Sequence, residues 1–403
     1  MKKIISLSYK PIRGDTRVLN QISALKENYN VYTIELKNWK KYKLLKKRKI
    51  KINSIFKHSI FKHSIFYPIK LFFIFLKKIF TVVKKIINFI NILLKINTVI
   101  GVIKNFILIN YVLINKVIKL NIVPDVIYAN DLLTLPTGVF FKFKFGSKLI
   151  YDMHEYELDR PPRNNIFKKI TIYLLEELLL PFTDCITTVS YSIKIYYKKR
   201  FKKKIFLVLN SPDIKFLENI NFESCASKIK NDFVYIGNIS FGRNIEDLIN
   251  VAQKNNFNLT FVGSINKEFE SQTDFLEKIN ISHNLNYMDP VSPDKIFNIL
   301  LDYKASIFLY DTSFKNYDFA LPNKFLLSLI MKKPIICFET TELKRFQKRH
   351  KVKLNFIKTL TDLKKTKLEV PNLSSDQIKF YSKERQSKTI KKIASNVLKR
   401  SNY

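Results

Sequence analysis

Five loops hold the residues of this chain whose types and spacing suit chemistry, and each follows a run that reads as a β-strand. They are Pro11-Ile12-Arg13-Gly14-Asp15, Asn130-Asp131, Asp152-Met153-His154-Glu155, Gly237 to Arg243, and Gly263-Ser264. Carboxylates and one imidazole dominate the first three, and glycines and a guanidinium the last two. Glycine admits a close approach of backbone to a ligand, and His154 is the side chain whose ordinary pKa lies nearest neutrality. A phosphate in such a setting is bound by helix N-terminal N–H groups and by Lys or Arg. Neither GxGxxG nor GxxxxGK[ST] occurs, which counts against an NAD-dependent dehydrogenase and a P-loop ATPase. The nearest thing to a DxD pair is Glu157-Leu158-Asp159, a weak candidate, so no metal site is expected. Cys185, Cys225 and Cys337 stand singly, without CxxC spacing, which fits a reducing compartment and no disulfide scaffold.

The elements that must carry these loops are parallel α/β units, because short β-branched runs alternate with helical patterns. Strands are predicted at 4–8, 31–36, 125–129, 148–151, 185–189 and 206–209, then at 233–236, 259–262, 286–288, 306–309 and 334–337. Helical spacing places Val18, Leu19, Ile22 and Leu25 on one face of a helix over 16–27, with further helices over 245–254, 294–303 and 325–331. Asn210-Ser211-Pro212 stops the last strand of the first half. The reading is two Rossmann-like domains facing across a cleft: residues 1–210 with a basic insertion at about 37–123, a linker over 211–230, a second domain over 231–375 and a closing segment over 376–403. In such folds ligands bind beyond the carboxyl ends of the strands, where the five loops lie. Met1-Lys2-Lys3 leads directly into the first strand, so no secretory signal is expected at the start.

Charge is distributed unevenly over the 403 residues. From Leu36 to Pro124 there is no Asp or Glu among 89 residues but 20 Lys and Arg, while the rest carries 51 Lys and Arg against 33 acids, for a net +38 overall. Such asymmetry marks a polyanionic partner. On a helix advancing about 100° per residue, Lys70, Lys77, Lys78, Lys84, Lys85 and Lys95 share one arc of roughly 120°. Leu71, Phe72, Phe75, Ile79, Ile86, Ile87, Ile90 and Leu94 cover most of the remainder. Residues 70–95 thus read as a basic amphipathic element for an anionic membrane surface, or as core-packed helices with a solvated lysine face. The longest uncharged stretch of the acid-free segment, 105–115, is 11 residues, about half of what a span needs. No zinc-finger spacing or RNP-like signature accompanies the charge, so nucleic acid is not an expected partner.

Six segments in order resemble the retaining GT-B glycosyltransferases of family four, many of which build bacterial surface polysaccharides. Asp15-Thr16-Arg17-Val18 is similar to the start of their first helix. Pro124-Asp125-Val126-Ile127-Tyr128-Ala129-Asn130-Asp131 resembles "PDVVHAHD", and Lys148-Leu149-Ile150-Tyr151-Asp152-Met153-His154-Glu155 resembles "KLVYDxHE". Val234 to Asn244 resembles the loop that opens the donor domain, and Ala320-Leu321-Pro322-Asn323-Lys324-Phe325 with Lys333-Pro334-Ile335-Ile336 resembles "LPNKLFEYLAxGxPVV". Tyr381-Ser382-Lys383-Glu384 resembles the start of the C-terminal segment that packs back on the first domain.

The resemblance implies a GT-B enzyme, a hexosyltransferase with a UDP- or GDP-sugar as donor and a lipid-linked or glycan acceptor. No cofactor or metal is implied. Arg243 and Lys324 are then expected on the donor diphosphate and His154 on a hydroxyl of the transferred sugar. Gly237, Asn238, Gly263, Asn323 and Phe325 form the rest of the donor site. Arg13, Gly14, Asp15, Asp131 and Glu155 line the acceptor side. In this family transfer retains configuration by front-side attack, so no protein nucleophile is needed. The basic segment 70–95 would hold the first domain on the inner face of the cell membrane, making the protein cytoplasmic and peripheral. Two departures stand out: Leu327 occupies the family's ribose-binding Glu position, and Asn238 replaces a frequent Arg. Asp318 or Glu342 are the candidates to replace the missing carboxylate. The departures also admit a non-catalytic GT-B protein that partners another transferase. A nucleotide-sugar epimerase of the same fold fits the motifs less well.

Overall fold

The structure, a computed structural model, describes residues 1–36, 97–161, 166–215 and 231–399. The basic arc 70–95 and most of the linker lie outside the described residues. In the first domain, strands β1 (Lys3–Ser8), β2 (Asn30–Glu35), β3 (Val126–Asn130), β4 (Lys148–Met153), β5 (Cys185–Thr188) and β6 (Ile205–Leu207) form one parallel sheet ordered β2-β1-β3-β4-β5-β6. In the second, β7 (Asn231–Ile236), β8 (Leu259–Val262), β9 (Leu285–Met288), β10 (Tyr303–Phe308), β11 (Ile335–Phe338) and β12 (Asn355–Ile357) form another, ordered β12-β11-β10-β7-β8-β9. The central strands are apolar on both faces, as parallel strands covered by helices must be: all five residues of β3 and all four of β8 are buried.

The helices around the first sheet are α1 (Thr16–Lys26), α2 (Asn97–Lys119), α3 (Leu135–Phe145), α4 (Ile166–Leu179) and α5 (Tyr191–Arg200). Around the second run α6 (Ile245–Asn255), α7 (Lys267–Gln272), α8 (Phe275–Ile281), α9 (Pro293–Leu301), α10 (Lys315–Asp318), α11 (Asn323–Ile330) and α12 (Thr341–His350). Helix α2 falls within the 37–123 stretch read as an insertion. Ile109, Leu113 and Val117, four apart and therefore on one face, are buried in the same core as Ile34, Val139 and Tyr151. Residues 97–119 are thus the crossover helix between β2 and β3.

The chain ends with α13 (Ser375–Phe380) and α14 (Lys383–Leu398). Helix α14 crosses back: Ile390, Ile393, Ala394 and Val397 are buried against Ile4, Ala24, Leu25 and Val126 of the first domain. Each buried aliphatic side chain contributes about 2 kcal/mol. The crossing is pinned where Leu209 N–H donates to Gln386 Oε1 (3.0 Å) and Lys383 N–H donates to the Pro212 carbonyl (2.9 Å). The arrangement is the GT-B fold, two Rossmann-like domains across a cleft with the last helix returned to the first.

Candidate functional site

The first-domain half of the cleft is built on the carboxyl ends of β1, β3 and β4. Asp152, the fifth residue of β4, is fully enclosed and accepts from Arg17 Nε (2.9 Å) and Nη2 (2.5 Å), from Thr187 Oγ1 (2.5 Å) and from His154 Nε2 (3.0 Å). Arg17 also donates to the Val208 carbonyl (2.6 Å). A buried carboxylate costs several kcal/mol unless paired and hydrogen-bonded, and here burial is outweighed by Arg17 and His154, which hold Asp152 far below the usual carboxylate range. Gln21, Asn130 and Ser6 extend the network.

This network fixes one edge of His154, whose side chain is 13% exposed. The other ring nitrogen, Nδ1, faces Asp131 Oδ1 at 3.5 Å and Asp15 Oδ2 at 3.9 Å. Burial alone would lower the imidazole pKa, but Asp131 and Asp152 overcome it and lift it from 6.5 to about 9. At neutral pH His154 is therefore an imidazolium, a double donor and no base. Asp131 holds its position with a backbone at φ 65° and ψ 157°, a region that costs a non-glycine residue about 1–3 kcal/mol and clusters at functional sites. Asp15 caps α1 through the N–H groups of Arg17 and Val18 while facing His154. Glu155 pairs with Arg160 Nε at 2.5 Å, and Arg160 reaches Glu157 at 3.3 Å. Burial foremost, and then Glu155 and Asp131, raises Glu157 to about 7, against the opposing charge of Arg160.

The second-domain half is built on β7, β8 and β10. Gly263 has φ +150°, and a Cβ there would sit 1.8 Å from the Gly237 carbonyl oxygen. Its role is to let the two loops touch, and Asn238 ties them further, with Ser264 Oγ donating to its Oδ1 at 2.6 Å. Asn238 itself is exposed. The Arg243 guanidinium lies 5.0 Å from the Tyr310 ring and 5.6 Å from the Tyr317 ring, with Nη1 3.3 Å from the hydroxyls of Tyr235 and Tyr310. Its Nε is buried with no hydrogen-bond partner among the described residues. Lys324 is half-buried in the first turn of α11, its amine pulled below the usual range by burial, and it has no ion-pair partner among the described residues. A buried or half-buried cation with no carboxylate beside it is suited to an anionic ligand.

Helix α10 joins the halves. Tyr156 N–H donates to Asn316 Oδ1 (2.8 Å) and Asn316 Nδ2 to Glu155 (3.4 Å), while the next residue, Tyr317, stacks by Arg243. Glu342, fully buried on α12, accepts from the N–H groups of Tyr191 (2.9 Å) and Ser192 (2.7 Å) and so caps α5 of the opposite domain. Of the expected residues, Asp15, Asp131 and His154 come together, as do Gly237, Asn238, Gly263 and Arg243, while Glu155 is turned to Arg160 and Asn316. Asn323 is exposed beside Lys324, whereas Arg13 and Gly14 are exposed on a short turn. Phe325 corrects its expectation: its side chain is wholly buried against Phe308 and Phe346, and its N–H is taken by the Pro322 carbonyl. Leu327 is buried with Val234, Ile236 and Leu300, and Asp318 accepts from Thr341 N–H. Both oxygens of Glu342 are thus taken, whereas Asp318 commits only Oδ1. The sequence reading missed Arg17, Thr187, Arg160, Tyr310 and Tyr317. Only Arg17 had a signal, in the motif that opens α1.

No family model matches the chain, and no curated protein matches it. Solved structures do. Sucrose-phosphate synthase from Thermosynechococcus elongatus aligns over 100% of both chains with a TM-score of 0.63 at 10% identity. Anabaena HepE in complex with UDP-glucose aligns over 98% of this chain and 100% of its own, with a TM-score of 0.59 at 14% identity. The lipopolysaccharide outer core galactosyltransferase WaaB in its apo form aligns over 98% and 100%, with a TM-score of 0.53 at 12% identity. These neighbours are GT-B glycosyltransferases, and identities this low establish a common fold. Among the described residues, no group of three or more His, Cys, Asp or Glu side chains is arranged to hold a metal ion, and no helix is long and apolar enough to cross a membrane.

Proposed function

We propose that this chain is a retaining, metal-independent glycosyltransferase that moves a sugar from a UDP- or GDP-sugar to a lipid-linked or polysaccharide acceptor in bacterial surface glycan synthesis. Lipopolysaccharide, capsule and exopolysaccharide are the candidate glycans. The observation that carries the reading is the pair of cations with no carboxylate partner among the described residues, half-buried Lys324 and buried Arg243, the latter joined through α10 to the loop of a protonated His154 among carboxylates. The cations suit a diphosphate whose charge grows as the sugar departs. HepE's complex with UDP-glucose, on the same fold, supports a nucleotide-sugar donor.

The chemistry follows from His154. Its Nε2 is committed to Asp152, but Nδ1 stands 3.5 Å from Asp131, beyond a strong hydrogen bond, so Nδ1–H can donate a hydrogen bond to a sugar hydroxyl. An imidazolium cannot accept the acceptor's proton. The donor phosphate receives it in front-side attack, and Asp131 and Glu155 orient acceptor hydroxyls. The seam at Asn316 and Glu342 keeps water from the bound donor. Residues 70–95 anchor the first domain to the inner face of the membrane, and the protein is cytoplasmic and peripheral.

The second reading, a non-catalytic partner of another transferase, draws on Leu327 in the core and Glu342 spent on α5. One experiment separates them: incubate the protein with UDP- and GDP-sugars, EDTA and membrane-extracted acceptors, and read the anomeric configuration of the product by NMR. Retained configuration with EDTA present supports the proposal. Inversion or a metal requirement refutes the mechanism, an epimerised donor indicates an epimerase, and binding without turnover favours the partner.

A further inference from the structure

Helix α4 is apolar on two faces. Ile172 and Leu179 point into the first core, but Ile166, Ile170, Tyr173 and Leu174 are 62%, 48%, 45% and 55% exposed. At about 100° per residue these four share an arc of roughly 100°. Glu177, one turn further on in the same arc, is paired with Arg200, so the uncharged part of the arc runs over 166–174, where a surface helix normally turns charge to water, and such a stretch marks a binding face. Along it runs an open groove of about 350 Å³ lined by Tyr156, Leu158, Ile170 and Tyr173, with Lys169 and Lys315 at the rim.

The groove is lined by residues that neighbour the cleft in sequence. Tyr156 and Leu158 belong to the loop that carries His154 and Glu155, and Lys315 begins α10, whose Tyr317 stacks by Arg243. Its one carboxylate, Asp159, is already used by Lys169 and by the Lys315 N–H. The Lys315 ammonium is left at the rim beside an apolar floor, and Arg200, stacked on Tyr173 at 4.0 Å, adds a second cation whose charge is shared with Glu176 and Glu177. Apolar floor, cationic rim and a mouth on the acceptor side match one ligand chemistry.

We propose that the groove between α4 and residues 156–159 binds the hydrocarbon chain of an acceptor carried on a lipid phosphate, with Lys315 meeting the phosphate at the cleft mouth. This rests on the glycosyltransferase reading and names its acceptor class. The test is calorimetric titration with farnesyl phosphate below its micelle concentration, beside farnesol and inorganic phosphate. Wild type is compared with Ile170→Glu and Lys315→Ala, both at exposed positions, and UDP and GDP are titrated into each form in parallel. The expected result is wild-type binding of farnesyl phosphate at least about tenfold tighter than of either half-ligand. Ile170→Glu should weaken it about tenfold and Lys315→Ala about threefold, with UDP binding unchanged in both. UDP binding with no preference for farnesyl phosphate, or a preference that survives Ile170→Glu, overturns the groove alone. Absence of both UDP and GDP binding in every form overturns the underlying reading instead. A wild-type dimer that Ile170→Glu converts to a monomer reassigns the face to a second copy of the chain.

Discussion

Replacing His154 with glutamine removes the titrating group and keeps a neutral donor beside Asp152. In the native chain Asp131 and Asp152 hold the imidazole pKa at about 9 against 6.5 in an unstructured chain. At about 1.36 kcal/mol per pH unit, that difference is worth about 3 kcal/mol. The sign follows from linkage: the native form keeps a proton that the unfolded chain releases above 6.5, so the stabilisation is complete below pH 6.5 and is lost as pH rises through 9. Glu157 and Glu176, both raised to about 7, also release stability as pH rises, so the wild type alone is not diagnostic. The assay is urea unfolding of wild type and His154→Gln at intervals from pH 6 to 10. The stability difference between the two should shrink by about 3 kcal/mol over that range, half of it by about pH 7.8. Asp131→Asn, which removes one of the two charges, should move the loss to lower pH. A difference that stays flat from pH 6 to 10 would show that His154 is neutral in the native cleft, and the donor-only role assigned to it would fall.

Gly263→Ala forces a Cβ onto the Gly237 carbonyl; a loss of about 4 kcal/mol or more is expected, and a melting temperature within a degree or two of wild type would contradict the close approach. Glu342→Ala leaves the N–H groups of Tyr191 and Ser192 unpaired across the domain seam, for a cost of about 2 kcal/mol and a larger radius of gyration in solution scattering; unchanged scattering would show that Glu342 does not hold the domains together. Leu327→Glu restores the family's residue type but buries a carboxylate among Val234, Ile236 and Leu300, so it should destabilise by about 3 kcal/mol or more and leave nucleotide affinity no better. A tighter nucleotide complex would place position 327 at the ribose after all.

The strands were legible because parallel strands buried on both faces leave near-continuous apolar runs, so Val126–Asn130 lies within one residue of its predicted place. The three-residue β12 was too short to show a pattern. Helix α2 was obscured because Lys, Ile and Asn continue unchanged from the basic segment into it, and only the burial of Ile109, Leu113 and Val117 separates them. Loop chemistry after strands pointed to His154, Asp131 and Arg243. What holds them did not show: Arg17 meets Asp152 across 135 residues, and Tyr310 and Tyr317 flank Arg243 through contacts that no local spacing encodes. Phe325 was misplaced because a motif gives position along a helix, while the face turned to the cleft is set by packing.

The central claim is that Arg243 and Lys324 await a nucleotide diphosphate. The direct measurement is calorimetric titration of UDP, GDP, CDP and their sugars, in EDTA, into wild type and Arg243→Ala. The account predicts selective binding of one nucleotide that weakens at least about tenfold in the variant, since a charge-assisted contact is worth about 1.5–3 kcal/mol. Absence of binding to every nucleotide by the folded wild type, or affinity unaffected by Arg243→Ala, would contradict it.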